Sequence, residues 1–345
     1  MGTANDRPQS IKAKERFDMN KQGMPRKLLL SLLIPAMVLA VVEILAAVKG
    51  VRLFAGADSW KLFFRAVANV TLTTFALSIN LDSGRFDFSL GSVAVLSAAV
   101  AGTASVAWKL GPWPTLGLCV AVAMALGLVH GIVYVVTRIP PIIVSLGMTL
   151  FFEGCAYAFT GGKGVTVVTR SDLIGFSTIP HYILVIAVAV AVIVLLFDYT
   201  RFGANYRALM SGQKIAVDTG IKEIGNALGC YAVSGALMGA VGFISLTNTG
   251  NVQMSLNFGS IGIMFTAFLP MFIGGWIGRY INKRVGIMLG AVSMALISLA
   301  YARFDTASSV QSIVSALLLG LFLIYLNNEF AILARFHKKA VPAGK

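Results

Sequence analysis

From Leu28 to Val48 the chain runs through 21 residues that are apolar except for Ser31 and Glu43. As an α-helix this run is about 31 Å long, the thickness of a bilayer's hydrocarbon core. A chain in that core has no water for its backbone N–H and C=O groups, so it must satisfy them within a helix or a closed barrel. Nine similar runs follow near 62–81, 89–109, 113–137, 140–160, 181–198, 226–247, 259–279, 285–304 and 309–328. Barrels show short alternating segments, not continuous apolar blocks. The expected fold class is therefore an all-α polytopic membrane protein with about ten transmembrane helices. The first run is too long for a signal-peptide core and no convincing A-x-A cleavage site follows it, so it is expected to be a retained helix.

Composition agrees with this reading. Of 345 residues, 57% are hydrophobic and 12% charged, about half the charged share of a soluble chain. That excludes a soluble enzyme, a disordered chain and a coiled coil. The net charge of +14 need not signal nucleic acid. With ten crossings and the N-terminus inside, 20 of the 28 Lys and Arg residues fall on the cytoplasmic side and 8 on the other, as the positive-inside rule requires for N-in and C-in. The expected layout is a cytoplasmic basic tail over 1–27, a transmembrane domain over 28–328 and a cytoplasmic tail over 329–345. Trp60, Phe63 and Phe64 are expected to anchor the second crossing at an interface.

The loop 198–225 divides the chain into two possible five-helix halves. Phe88-Ser89-Leu90-Gly91-Ser92 and Asn257-Phe258-Gly259-Ser260 are short, similar stretches, each opening an apolar run, and repeated halves are a common transporter plan. Within the loop, Tyr206 to Asp218 is expected to form a short helix. Its Ala208, Leu209, Gly212 and Ala216 would seat against a soluble partner, with basic residues against the inner membrane surface.

Catalytic signatures are missing. There is no G-x-x-x-x-G-K-[ST] phosphate loop, no H-E-x-x-H and no G-x-S-x-G, so no enzyme activity and no cofactor are expected. Cys119, Cys155 and Cys230 lie in apolar runs without C-x-x-C spacing and read as small buried residues. His181 and His337 lie at membrane edges, while His130 reads as a helix–helix hydrogen-bond partner. Glu43 is expected near the outer interface. Glu153 lies deeper, where an ionised group must face protein or water, either lining a cavity or bonding to a neighbouring helix. Gly117, Gly127, Gly235, Gly239, Gly242 and the Gly286–Gly290 pair are expected to permit close helix packing.

Four stretches resemble the permease subunits of bacterial sugar ABC importers, the group handling ribose, galactose, xylose, arabinose and the furanosyl autoinducer. They are Phe86 to Ser92, Ile139 to Gly147 with the following Tyr157 to Gly162, Thr200 to Gly203 with Ala208 to Ile221, and Ile273 to Gly275. They occur in the family's order across roughly 60–330. The resemblance implies a path for a sugar or sugar-like solute through a bacterial inner membrane. It also implies a separate ABC ATPase, a second permease subunit and an extracytoplasmic binding protein as partners. The positions it carries for ATPase coupling are Arg201, Gly203, Arg207, Ala208, Gly212, Ala216, Gly220 and Ile221. Those it carries for the translocation path are Asp87, Ser89, Gly91, Ser92, Pro141 and Ser145, to which Glu153 is added by its depth. The chain departs from the family at Trp276, in the turn Arg279 to Arg284, in the missing acid near Ser255 to Phe258, and at Glu153, where a basic residue is common. These departures fit one member of a non-identical permease pair. The alternatives are the same machine carrying a nucleoside or other small polar solute, and an ion-coupled secondary transporter using Glu153.

Overall fold

A computed structural model describes residues 24–176 and 178–340. The basic tail expected over 1–27 falls almost wholly outside the described residues, as does the end of the C-terminal tail. Among the described residues, nine helices are long and apolar enough to cross a membrane: α1 (Met24–Val48), α2 (Ala57–Asp82), α3 (Leu90–Ala107), α4 (Pro112–Thr137), α5 (Pro141–Thr160), α7 (Ile179–Asp198), α10 (Glu223–Thr249), α13 (Lys283–Arg303) and α14 (Ser308–Ala340). The protein is an all-α polytopic membrane protein. Short elements complete it: β1 (Val165–Thr166), α6 (Ser171–Gly175), α8 (Arg201–Ser211), α9 (Gln213–Asp218), β2 (Asn251–Val252), α11 (Ile261–Phe265) and α12 (Phe268–Ile277).

The crossing expected as one helix near 259–279 is instead two pieces, α11 and α12, interrupted at Thr266 and Ala267. Pro270 has no N–H to give the Thr266 carbonyl, and the Thr266 hydroxyl donates to the Ile263 carbonyl at 2.7 Å. Together the pieces cover 17 residues, about 25 Å of helix, less than a full crossing.

Chain direction sorts the loops to two ends of the bundle. The basic end carries Arg85, Arg138, α8, α9 and the α12–α13 turn. At the opposite end β1 and β2 pair antiparallel, Val165 against Val252 and Thr166 against Asn251. Arg170 ties this sheet end together, donating to the Leu110 carbonyl at 2.7 Å and to the Ser105 carbonyl. Trp60 stacks on Phe54 at 4.4 Å and on Phe64 at 6.1 Å, an aromatic cluster at the start of α2.

The centre belongs to α10, which packs on α4, α2 and α3. Small residues make this possible. A Cβ on Gly127 would lie 2.2 Å from the Tyr231 carbonyl oxygen, and one on Gly235 2.4 Å from that of Ala123, so the backbones of α4 and α10 touch. Gly286 and Gly290 pack α13 on α12 in the same manner. Gly117 is a correction to the expected packing set: a Cβ there would meet open space. The expected halves are not separate bodies, since α10 of the second fills the core of the first.

Candidate functional site

The two similar serine stretches meet inside the bundle. Ser89 is the residue before α3 and Ser260 the residue before α11. Each is held by one carboxylate in the same way. Asp87 Oδ1 accepts from the Ser89 backbone N–H at 2.9 Å and its hydroxyl at 2.7 Å. Glu153 Oε1 accepts from the Ser260 N–H at 2.8 Å and its hydroxyl at 2.5 Å, while Oε2 accepts from the Phe258 N–H at 3.0 Å. A carboxylate beside a helix start satisfies N–H groups that have no partner in the helix and offsets the positive end of its dipole. At Gly91 the two helix starts touch, because a Cβ there would lie 2.0 Å from the Ser260 carbonyl oxygen.

Depth follows from α5. Glu153 is seven residues before Thr160, the last residue of α5, which places it about 10 Å inside the sheet end. Of Glu153's two expected roles, the geometry gives the hydrogen bond to a neighbouring segment; the residue is 1% exposed.

Further polar groups surround Asp87. Asn80 donates to Asp87 Oδ2 at 3.0 Å and to the Ser234 hydroxyl at 2.9 Å. The Ser89 hydroxyl lies 2.8 Å from His130 Nδ1. Since that hydroxyl gives its proton to Asp87, it accepts from Nδ1–H, which assigns the tautomer. His130, expected to bond helix to helix, is bonded instead to Ser89 in the α2–α3 turn. His130 also packs on Tyr231, with ring centroids 4.6 Å apart. His130 Nε2, the Tyr231 hydroxyl and Asn80 Oδ1 are buried without a hydrogen-bond partner among the described residues.

Not every expected path residue joins this junction. Asp87, Ser89, Gly91 and Glu153 converge through Ser260. Ser92 donates back to the Ser89 carbonyl at 2.8 Å. Pro141 is half-buried at the start of α5, and the Ser145 hydroxyl bonds to the Ile142 carbonyl of its own helix at 2.9 Å. Asn80, Ser234 and Ser260 were missed by the sequence reasoning. The similarity of Phe88–Ser92 to Asn257–Ser260, each with Gly-Ser before an apolar run, was the available signal for Ser260, whereas Asn80 and Ser234 look like ordinary helix residues.

At the basic end, the helix expected over Tyr206–Asp218 is a correction. It is two helices, α8 and α9, split at Gly212, which is extended with φ 177° and ψ 90°. Gly212 and Ala216 therefore do not present one helical face: Gly212 is half-buried and Ala216 is buried within the chain. The seat of α8 is internal. A Cβ on Gly203 would lie 2.0 Å from the Phe197 carbonyl oxygen, Tyr206 donates to the Ile79 carbonyl at 2.9 Å, and Leu209 is buried. Arg207 donates to the Phe197 carbonyl and lies 3.7 Å from Asp198, which pairs with Arg284 of α13 at 2.9 Å. Arg201 and Gly220 are exposed, and Ala208 and Ile221 half-buried. The large apolar side chains that do face outward are Met210, Ile215, Val217 and Ile224, with Ile215 72% exposed. Beside α8 a cleft of about 300 Å³ is lined by Phe75, Tyr206, Met210 and Lys283 among others.

A helical membrane protein with one crossing broken into α11 and α12, whose start meets that of α3 beside two buried carboxylates, has the construction of a transport protein. The chain belongs to the family described as the branched-chain amino acid transport system permease component, whose model matches residues 61–326. It is 27% identical over 242 residues to the fructose import permease protein FruF of Bifidobacterium longum, covering 67% of this chain and 66% of that one. It is 28% identical over 150 residues to the galactose/methyl galactoside import permease protein MglC of Salmonella typhimurium, covering 40% and 44%. With the autoinducer 2 import system permease protein LsrC of Yersinia enterocolitica it shares 24% identity over 225 residues, covering 63% and 61%. The matched region thus spans two thirds or less of each relative's length. No solved structure shows a significant match.

Proposed function

We propose that this chain is the membrane-embedded permease subunit of an ATP-driven importer for a sugar or sugar-like solute, in a bacterial inner membrane with its basic end in the cytoplasm. The single observation that carries the reading is the build of α8 and α9. Gly203, Tyr206 and Leu209 fix the pair to the bundle, while Met210, Ile215, Val217 and Ile224 are left facing outward on a segment rich in Arg and Lys. A patch of exposed apolar side chains rimmed by charged residues is the usual mark of a protein contact. Here the partner is a separate ATPase subunit, which supplies the nucleotide chemistry for which this chain has no phosphate loop.

In this reading Arg201, Gly203, Arg207, Ala208, Gly212, Ala216, Gly220 and Ile221 shape and hold the coupling segment, and the outward apolar residues make the contact. Arg207 and Asp198 connect it to Arg284 on α13, so a push on α8 reaches the helix packed against α12. Asp87, Ser89, Gly91, Ser92, Pro141, Ser145 and Glu153 belong to the path or to its closure. A second permease subunit, identical or related, completes the path, and an extracytoplasmic binding protein delivers solute to the sheet end. Three hydrogen bonds already occupy Glu153, which favours this machine over coupling through that carboxylate.

The test is site-directed crosslinking. Ile215→Cys, in the complex purified from cells that express the whole system, should crosslink to the ATPase subunit with a short bifunctional maleimide. Val192→Cys, exposed on α7 away from α8 and α9, should not. An Ile215→Cys chain that never reaches an ATPase would reject the docking site.

A further inference from the structure

We infer that the cleft between α7 and α13 at the basic end binds one anionic phospholipid of the adjoining leaflet, with an acyl chain along its floor and the phosphate at its rim. The inference goes beyond the transport reading and takes from it only that the basic end faces the cytoplasm.

The cleft follows from the packing on α2. Both α7 and α13 lie against α2, and the space of about 300 Å³ between them is floored by it. Asp82 and Asp198 end α2 and α7, and Lys283 begins α13. The mouth thus sits where three membrane-spanning helices end, at the level of the headgroups. Phe75 is seven residues before Asp82 on α2, which carries the floor about 10 Å deeper, to the level of the acyl chains.

The two depths differ in chemistry. Phe75, Ile79, Ile193, Phe197 and Ile287 make the floor and are buried. The two hydroxyls beside them are spent: Ser78 donates to the Phe75 carbonyl at 3.0 Å and Tyr206 to the Ile79 carbonyl at 2.9 Å. A floor of this kind takes hydrocarbon, because a polar group placed on it would lose its water without gaining a partner.

At the rim, three cations meet two carboxylates. Arg284 is committed to α7. It donates to the Ile193 carbonyl at 3.1 Å, pairs with Asp198 at 2.9 Å and lies 5.4 Å from the centre of the Phe197 ring. Lys283 pairs with Asp82, and Arg207 donates to the Phe197 carbonyl. Both of these cations are about half-exposed and keep N–H donors beyond those bonds, since an ammonium has three and a guanidinium five. Asn282 at the mouth spends its side-chain oxygen on the Arg284 N–H at 2.9 Å, and exposed Met210 extends the apolar surface outward. Three cations against two carboxylates leave one positive charge, which one phosphodiester balances. Basic pockets between transmembrane helices on the cytoplasmic side recognise anionic headgroups in this way. A sugar would find no partner on the floor, and a cationic amphiphile would meet carboxylates that already hold cations.

The test is photolabelling of the full-length chain, assembled with its partners and reconstituted in phosphatidylethanolamine vesicles. The probe is a phosphatidylglycerol with a diazirine on one acyl chain. Mass spectrometry reads labelling at the cleft, on the peptides holding Ile193 and Ile287, and at Leu321 on α14, which is 64% exposed and reports random lipid contact. Excess unlabelled phosphatidylglycerol should lower cleft labelling by about fivefold or more and leave Leu321 unchanged, while the same excess of phosphatidylethanolamine or of soluble glycerol 3-phosphate should displace nothing. Combined Arg207→Gln and Lys283→Gln should lower cleft labelling by about the same factor. Equal displacement by phosphatidylethanolamine overturns the site, and so does displacement by glycerol 3-phosphate. Cleft labelling no higher than at Leu321 in the assembled complex also overturns it, since the cleft then belongs to the ATPase. The competition uses the unmodified chain, so it decides the matter even where the double variant fails to fold. Uptake without an ATPase would remove the importer reading and leave the lipid site, and a cleft without headgroup preference would remove the lipid site and leave the importer.

Discussion

Gly91 and Ser260 touch backbone to backbone, with 2.0 Å between the position of a Gly91 Cβ and the Ser260 carbonyl oxygen. The contact joins the starts of α3 and α11 and leaves no room for a side chain. Gly91→Ala is expected to destabilise the protein by about 1–3 kcal/mol, the usual cost of overpacking. Gly117→Ala, where a Cβ meets open space, should be neutral or stabilise by roughly 0.5–1 kcal/mol through helix propensity. Thermal unfolding in detergent of the two variants side by side checks the contrast.

Glu153 and Ser260 form the second half of the junction. Glu153→Leu removes the acceptor for three donors and should destabilise by several times about 1 kcal/mol, since buried donors are left unpaired. Glu153→Gln keeps one acceptor oxygen and should fall between the wild type and Glu153→Leu. A chemical denaturation series in detergent gives the order; equal stability of all three would remove the role assigned to this carboxylate.

Much of this was legible in the sequence, and the reasons are physical. Long apolar runs set the crossings because lipid leaves the backbone no alternative, and small residues at Gly127, Gly235, Gly286 and Gly290 announced close packing. The division of 259–279 into α11 and α12 was hidden, because both pieces are apolar and Pro270 alone kinks many membrane helices without breaking them. Glu153 could be placed at depth, but its partners are more than 100 residues away in sequence, and only the fold brings them together. The break at Gly212 was missed because a single glycine is often tolerated within a helix.

Ala216 and Ile215 are neighbours with opposite environments, 5% and 72% exposed. Ile215→Asp should leave the folded chain intact while ATPase association falls by at least tenfold. Ala216→Trp should disturb α9 itself and lower stability as well as association. Limited proteolysis of the α8–α9 segment, run beside a pull-down, separates the two effects.

Asp172 is held below the ordinary aspartate range, chiefly by its hydrogen bonds from Arg170. A carboxyl with a depressed folded pKa stabilises at pH values above its unfolded pKa, and the contribution is lost as pH falls through the folded value. The stability difference between wild type and Asp172→Asn should therefore be small and constant near pH 7 and shrink toward zero in strong acid. The pair is partly exposed, so added salt should also reduce the difference. Melting temperatures from pH 7 to pH 3 test the sign.

In the proposed importer this chain carries solute only when driven by a separate ATPase. The most direct measurement is uptake of radiolabelled sugar into liposomes holding the chain with its ATPase, its binding protein and any second permease subunit, compared with liposomes holding the chain alone. ATP-dependent accumulation by the complete system and none by the chain alone is the expected result; uphill uptake by the chain alone under a proton or sodium gradient would contradict it.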